Sequence, residues 1–473
     1  MGILQFESVN CKDCCKCIGV CPVKAIEVKN HRAMVVERDC ILCGNCTVVC
    51  PQNTKHDVND VAGIRALIHD GRKVVASVAP SYAAYFNGCG LPALRAALQK
   101  LGFADVRETA EGAYLVKSEY ETLLREKRMI SSCCATVNAY VQKHCPEAIP
   151  LLAPVLTPMQ AHARLIHAED PDAVLVFIGP CISKKAECLE DASDLAYAVT
   201  FGDLAEWMRD VNVELEPAPA SERRLSRFFP VAGGILKTME KSPDYSYITV
   251  DGPENCMRAL HDAAAGKFPN CFIEMNFCTG SCVGGPAFRK RELSLAASTL
   301  RVARDAVESD AAEQGAPDYS FGKPGDLAAA FRDEQTCYTM PTEKQIASIF
   351  KKMGKESPAD ELNCGMCGYS SCREKAIAVI MGRAEISMCM PYMKKRAESF
   401  SDKVLSITPD AILAVDLSLK VQQINRAAVR MFKLKDANDI LHEHIVRILN
   451  PGDYQNIITS ALHTTTRMHY LAD

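Results

Sequence analysis

From about Asp60 to Leu300, short apolar runs alternate with amphipathic stretches. Val74–Ala79, Arg128–Ser131, Ala173–Ile178 and Cys271–Glu274 read as buried strands, too short and too uniformly apolar for surface helices. Leu91–Leu101, Cys134–Lys143, Pro158–His167 and Phe201–Val211 carry apolar residues at helical spacing. Strands alternating with helices predict an α/β layout. Glu214–Ser221, with two prolines, reads as a surface loop. The stretch 300–340 is polar, with Gly315, Pro317, Gly322, Pro324 and Gly325, and reads as a connector containing a short helix near Asp326–Asp333. A small compact unit follows. Pro391–Ile407 is charged and without turn residues, as in a linker helix. The remainder predicts a strand, a turn, a strand, and a helix opening at Asn425-Arg426-Ala427-Ala428.

Composition narrows the class. The chain has 473 residues, room for about three domains. Its formal charge is −4 with no basic block, which argues against nucleic-acid binding. The amino terminus lacks the basic and apolar pattern of a secretory signal. The apolar run Asp172–Pro180 is too short to span a membrane. Cysteine is the outlier, at 24 residues. In a long chain without a signal, metal binding is the better reading of that number. A cytoplasmic location in an anaerobe is the matching expectation.

The cysteines fall into three groups. Cys11, Cys14, Cys17 and Cys21-Pro22 repeat as Cys40, Cys43, Cys46 and Cys50-Pro51. This is the two-cluster bacterial ferredoxin run, in which the fourth cysteine serves the other cluster. Cys11, Cys14, Cys17 and Cys50 are then one ligand set, and Cys40, Cys43, Cys46 and Cys21 the other; two zinc sites are the alternative. Cys15 is an extra thiol the pattern does not need. Cys364, Cys367, Cys372 and Cys389 suit one more four-thiolate 4Fe-4S cluster, with structural zinc as the alternative. The third group is dispersed: Cys134 in Ser-Ser-Cys-Cys, Cys181 in Gly-Pro-Cys-Ile-Ser-Lys-Lys-Ala-Glu, and Cys278 and Cys282 in Glu-Met-Asn-Phe-Cys-Thr-Gly-Ser-Cys. Each segment follows a predicted strand, and open α/β sheets gather ligands beyond the carboxyl ends of their strands.

These three segments resemble the active-site motifs of iron-only (FeFe) hydrogenases. Ser131-Ser132-Cys133-Cys134-Ala135 is similar to the first, Gly179 through Glu187 to the second, and Glu274 through Cys282 to the third. Val78-Ala79-Pro80-Ser81 looks like the family's first strand end. The resemblance covers residues 1 to about 300. It implies an H-cluster, a 4Fe-4S cubane joined by one thiolate to a diiron unit with CO, CN and an azadithiolate bridge. By position, Cys134, Cys181, Cys278 and Cys282 would hold the cubane, with Cys282 as the bridge. Lys184 would hydrogen-bond one cyanide, and Pro80 and Ser81 would contact the other. Cys133 would carry protons. Three departures stand out. Gly179 and Asn276 replace methionines that pack on the diiron unit, implying a smaller and more polar shell, and Ser281 replaces a glycine. Family enzymes also place two carboxylates on the helix before the first motif, where Gly112–Val116 has none. Glu111, Glu119 and Glu121 read as mostly solvated helix charges.

The segment from Ile407 resembles the start of a PAS sensory domain, shorter than such domains usually are. The expected organisation is a two-cluster ferredoxin-like domain at 1–58, a two-lobed α/β H-cluster domain at 59–300, a connector at 301–340, and a small 4Fe-4S domain at 341–392. A linker helix at 393–406 and an α/β PAS-like domain at 407–473 complete it. The resemblance implies a sensory FeFe hydrogenase of slow turnover, acting on H2 and protons. Its partners would be ferredoxin or another redox carrier, hydrogenase maturation proteins, a signalling partner read through PAS, and a second copy through the linker helix. The alternatives are a metabolic ferredoxin-linked hydrogenase, and a hydrogenase-like iron–sulfur protein without the diiron unit, as in cytosolic cluster assembly.

Overall fold

The computed structural model describes residues 2–7, 10–124, 129–190, 194–216, 224–289, 293–306, 326–450 and 452. The chain forms two compact units, Met1–Glu385 and Ile386–Asp473.

The first unit begins with a duplicated small module. Strands β1 (Leu4–Phe6), β2 (Ile26–Lys29), β3 (Arg32–Val35) and β4 (Lys55–Asp57) pair antiparallel, β1 with β4 and β2 with β3. Two five-residue helices, Lys16–Val20 and Asn45–Val49, each follow a left-handed residue, Cys15 (φ 58°) and Gly44 (φ 71°). Gly44 is glycine for a second reason: a Cβ there would lie 2.6 Å from Pro286 and 2.8 Å from Ile182. The module therefore seats its second cysteine loop directly on the following domain.

That domain holds two separate parallel sheets. The first, ordered β6-β5-β8-β9, comprises β5 (Val74–Val78), β6 (Asp105–Glu108), β8 (Val174–Gly179) and β9 (Leu195–Thr200). The second, ordered β10-β11-β7, comprises β7 (Met129–Ile130), β10 (Ser246–Asp251) and β11 (Cys271–Asn276). All five residues of β5 and all six of β11 are buried, as expected of strands covered by helices on both faces. The four strands and four helices expected between Asp60 and Leu300 are present with ends shifted by at most two residues, Arg128 lying outside the described residues. β6, β9 and β10 were not anticipated. They sit at sheet edges, where partly exposed residues, every second one in β6 and all six in β10, dilute the apolar signal.

The expected helix near Asp326–Asp333 does not form. Leu327 and Ala329 instead pair their backbones with Leu156 and Pro154 (Leu156 N–H to Leu327 O 2.9 Å; Ala329 N–H to Pro154 O 3.0 Å). Tertiary pairing overrides the helical propensity of Ala328-Ala329-Ala330. Gly315, Pro317, Gly322, Pro324 and Gly325, and residues 217–221 of the predicted loop, lie outside the described residues.

Helices Glu343–Lys352 and Cys372–Ile380 pack together and close back on the amino-terminal module. Val28 N–H bonds Arg383 O at 2.8 Å, and Lys24 Nζ bonds Gly368 O at 3.0 Å. A Cβ on Gly368 would meet Ile18 Cβ at 2.8 Å, and φ there is +85°.

In the second unit, an 18-residue helix, Met390–Ile407, buries none of its residues. The antiparallel pair β12 (Leu413–Val415) and β13 (Val421–Ile424) and the helix Arg426–Met431 follow, as the pattern predicts. Asn425 caps that helix by accepting from Ala428 N–H at 2.9 Å. Residues 451 and 453–473 of the expected PAS-like segment lie outside the described residues. No described helix is long and apolar enough to cross a membrane.

Candidate functional site

Two adjacent strands of the first sheet end together. Ala79 N–H bonds Ile178 O at 2.9 Å, so Pro80-Ser81 and Pro180-Cys181 leave the sheet side by side. In the second sheet, Ser131 N–H bonds Ile273 O at 2.9 Å, and Ser131 Oγ accepts from Met275 N–H at 3.0 Å. The Ser-Ser-Cys-Cys turn and the third-motif loop are thereby fixed to neighbouring strands. Tyr120 and Val155 hold the turn further: Ser132 N–H donates to Tyr120 Oη (2.9 Å) and Ser132 Oγ to Val155 O (2.7 Å).

Cys134, Cys181, Cys278 and Cys282 are brought into electrostatic reach of one another. Burial raises the Cys134 thiol, and Cys181 raises it further. Burial raises Cys278 strongly, with Cys181, Cys134 and Cys282 adding to it. Cys282 is pushed up to about 12 by burial and then by Cys181 and Cys134. Three thiols, Cys134, Cys278 and Cys282, held up by burial and by their neighbours are unfavourable as free thiolates. A bound cation that displaces their protons removes that conflict. Four thiolates are the donor set that an iron–sulfur cluster takes. Ser81 Oγ, fully buried at the end of β5, has no hydrogen-bond partner among the described residues.

Lys184 is buried at the start of a single helical turn, Lys184–Glu187. Its Nζ lies 2.9 Å from both oxygens of Glu187, which also accepts from Thr157 Oγ1 at 2.8 Å. Burial opposes the ammonium charge, but Glu187, Cys181 and Cys134 raise its pKa above the usual lysine value. In return, Lys184 lowers Cys134 and Cys282. The Glu187 partner was not anticipated; its place three residues after Lys184, on one helical turn, is the signal that pointed to it. Glu187 also lines a large cavity of mixed polar and apolar lining, with Glu190, Gln160, Asn138 and Cys40.

Cys133 donates weakly to Ser131 Oγ at 3.8 Å. Its thiol is held well above the ordinary value by burial, then by Cys134 and Glu274. Glu274, treated at the sequence level only as a motif letter, is fully buried. It accepts from Gly233 N–H (2.9 Å), Leu236 N–H (3.0 Å) and Asn276 Nδ2 (3.4 Å). Burial nevertheless pushes its carboxyl to about 7.

The three departures have local causes. A Cβ on Gly179 would lie 2.4 Å from the Phe177 ring, so that ring takes up space beside position 179. Asn276 turns back to Glu274. Ser281 adopts φ +61°, a conformation suited to the glycine it replaces, and its buried hydroxyl helps lower Cys282. Glu111 is not a solvated charge. It is paired with Arg107 and lies 3.5 Å from His162 Nε2, and its carboxyl is lowered to about 2, burial being outweighed by His162 and Arg107. Gly112 could hold no carboxylate, because its Cβ would meet Pro158 O at 2.1 Å and His162 N at 2.7 Å.

Elsewhere, Cys11, Cys14, Cys17 and Cys50 line one small cavity. The Cys43 thiol is pushed up to about 12 by burial, with Cys21 and Cys40 adding, and Cys46 is raised by burial and by Cys43, Cys40 and Cys21. Cys43 also acts on Cys278, which connects the module to the four-thiol site. Cys364, Cys367 and Cys372 belong to the first unit, and the buried Cys389 caps the long helix of the second. The extra thiol, Cys15, is raised by burial and Asp13, and feels both Cys17 and Cys367.

The model of the iron only hydrogenase large subunit, C-terminal domain, matches residues 72–286, and an "Fe-S cluster" model matches residues 360–391. Among curated proteins, the periplasmic Fe hydrogenase large subunit of Nitratidesulfovibrio vulgaris is 27% identical over 60% of this chain and 86% of its own length. The NADP-reducing hydrogenase subunit HndD of Solidesulfovibrio fructosivorans is 21% identical over 58% of this chain and 61% of its own. Iron hydrogenase 1 of Clostridium pasteurianum is 22% identical over 45% and 50%. A solved FeFe-hydrogenase from Chlamydomonas reinhardtii has a TM-score of 0.47 at 17% identity, covering 59% of this chain and 100% of that one. The chain is a hydrogenase-like iron–sulfur protein, homologous over residues 72–286 to the large-subunit domain of the iron-only hydrogenases.

Proposed function

We propose that this chain is a sensory FeFe hydrogenase. The observation that carries the reading is the gathering of Cys134, Cys181, Cys278 and Cys282 at the ends of two parallel sheets, with Lys184 buried beside them. These four cysteines would hold the H-cluster, Cys282 as the bridge, with Lys184, Pro80 and Ser81 around its diiron part. When bound, that group supplies reversible cleavage of H2 into protons and electrons. Lys184, kept charged by Glu187, offers a charge-assisted donor. Cys133 accepts or gives the proton, and Glu274 stands next to it with a carboxyl poised near neutrality. Three further 4Fe-4S clusters would be held by Cys11, Cys14, Cys17 and Cys50, by Cys40, Cys43, Cys46 and Cys21, and by Cys364, Cys367, Cys372 and Cys389, and would supply electron transfer.

The sensory part of the reading rests on the strand–turn–strand–helix after the long exposed helix and on the altered surroundings of the cubane site. Its partners are a redox carrier such as ferredoxin, the maturation proteins, a signalling partner docking on the PAS-like segment, and a second copy. A cytoplasmic location belongs to the same reading. Mass-spectrometric exchange between D2 and water by the matured protein tests it: HD and H2 formation that falls at least about 100-fold in Cys133→Ser supports it. Undetectable exchange with all iron in place would sink it. In that event the second reading, a cluster protein without the diiron unit, takes over. It is favoured by one contact: the Lys184 ammonium is already satisfied by both oxygens of Glu187.

A further inference from the structure

Outside the cysteine sets already described, one more cluster of ligating atoms among the described residues is assembled from three elements. Cys145 closes the helix Ala135–His144, Glu147 lies in the following 3-10 turn Pro146–Leu151, and His261 lies in the helix Pro253–Ala264. Cys145 Sγ is 4.0 Å from His261 Nδ1, and His261 Nδ1 is 3.6 Å from Glu147 Oε1. One ligand atom from each residue falls within 4.8 Å of the other two. Tetrahedral zinc, with bonds of about 2.3 Å to sulfur and about 2.0 Å to nitrogen or oxygen, sets its ligand atoms about 3.5 Å apart. His261 Nδ1 stands within about half an ångström of that spacing from both partners, and a small side-chain adjustment would close the remaining pair, now within 4.8 Å. Cys145 is fully buried, whereas His261 and Glu147 are about half exposed, so a cation entering from solvent would meet the two outer ligands first.

We infer that Cys145, Glu147 and His261 form a binding site for a divalent transition cation, zinc foremost, with one position left to water. Sulfur, imidazole and carboxylate together favour zinc over magnesium or calcium. Binding exchanges the thiol proton of Cys145 for the metal, and that proton leaves to solvent. The consequence is mechanical. The helix that begins just after Cys134 would be tied at its far end to the helix Pro253–Ala264, bracing the framework of the four-thiol site. The inference stands on these three residues alone, whatever the cubane site binds.

The test uses the anaerobically purified full chain with its iron–sulfur clusters in place. The protein is dialysed against zinc and then passed over a chelating resin. Zinc and iron are counted by mass spectrometry, and the zinc surroundings are read by X-ray absorption. The expected result is one retained zinc per chain with a single sulfur neighbour. His261→Ala and Glu147→Ala, both at exposed positions, should weaken binding by more than the ~10- to 100-fold that loss of an outer partner brings, with iron content unchanged. Cys145→Ser should remove the sulfur signal. No retained zinc would mean that Cys145 and His261 share only a weak hydrogen bond, and would overturn the inference. Zinc that persists in His261→Ala, or that shows several sulfur neighbours, would overturn it too, since it would sit on cluster cysteines.

Discussion

Single residues at the site work against their own ordinary chemistry, and two of them make sharp predictions. Burial lifts Glu274 from 4.5 to about 7. The folded chain therefore holds this proton more tightly than the unfolded chain. The associated stability is full below about pH 4.5 and is lost as pH rises through about 7, up to about 3 kcal/mol in all. Glu274→Gln should gain on the parent as pH climbs from about 5 to about 8, measured as the difference in denaturant midpoints; a constant difference would show that Glu274 does not titrate in that range. Ser281, at φ +61°, carries a left-handed strain of roughly 1–2 kcal/mol. Ser281→Gly is expected to leave thermal stability unchanged or raise it, despite the entropy glycine adds to the unfolded chain. At this scale the sequence was only partly legible. The cysteines announced themselves by spacing. The Lys184–Glu187 pair was signalled only by its i,i+3 spacing, and the burial of Glu111 not at all, because a charge looks alike on a solvated face and in a buried ion pair until its neighbours, such as His162 beside Glu111, are known.

At the level of elements, the strand ends decide what the site can contain. β5 and β8 deliver Ser81 and Cys181 together, and β7 and β11 deliver Cys134 and Cys278. The position of Gly179 at the end of β8 is set by the Phe177 ring beside it. Gly179→Met should cost about 1–3 kcal/mol through overpacking. A Gly179→Met/Phe177→Ala pair should recover part of that loss, as a double-mutant cycle in thermal unfolding would register; additive losses would show that the two positions do not share the space. The apolar runs of β5, β8 and β11 were readable because both faces are buried. The edge strands β6, β9 and β10 were not, since half-exposed residues break the run. The helix expected at Asp326–Asp333 failed for the complementary reason, its local propensity losing to backbone pairing with Pro154–Leu156.

On the scale of the whole chain, the structure joins modules that the sequence separates by hundreds of residues. The loop around Gly368 seats on Ile18 and Cys15, so Cys15, surplus by pattern, lies in the electrostatic field of both Cys17 and Cys367. Spacing alone had no means of revealing that docking, which depends on a glycine at φ +85° and on Lys24 reaching across. In the second unit, Met393, Ala397, Phe400, Val404 and Ile407 are exposed at alternating steps of four and three along one helix, the seam of a coiled coil. The proposed homodimer should run through this seam. Sedimentation equilibrium is expected to give a dimer for the parent and a monomer for Phe400→Glu; equal masses for the two would remove this helix as the contact.

The central claim is that the four-thiol site takes a diiron unit beside Lys184. Infrared spectroscopy of the apoprotein, first given its iron–sulfur clusters and then a synthetic diiron complex carrying CO and CN, tests this most directly. Sharp protein-bound CO and CN bands that move under hydrogen are expected, with a CN band displaced in Lys184→Met. Only the broad bands of the free complex, removed by desalting, would contradict it.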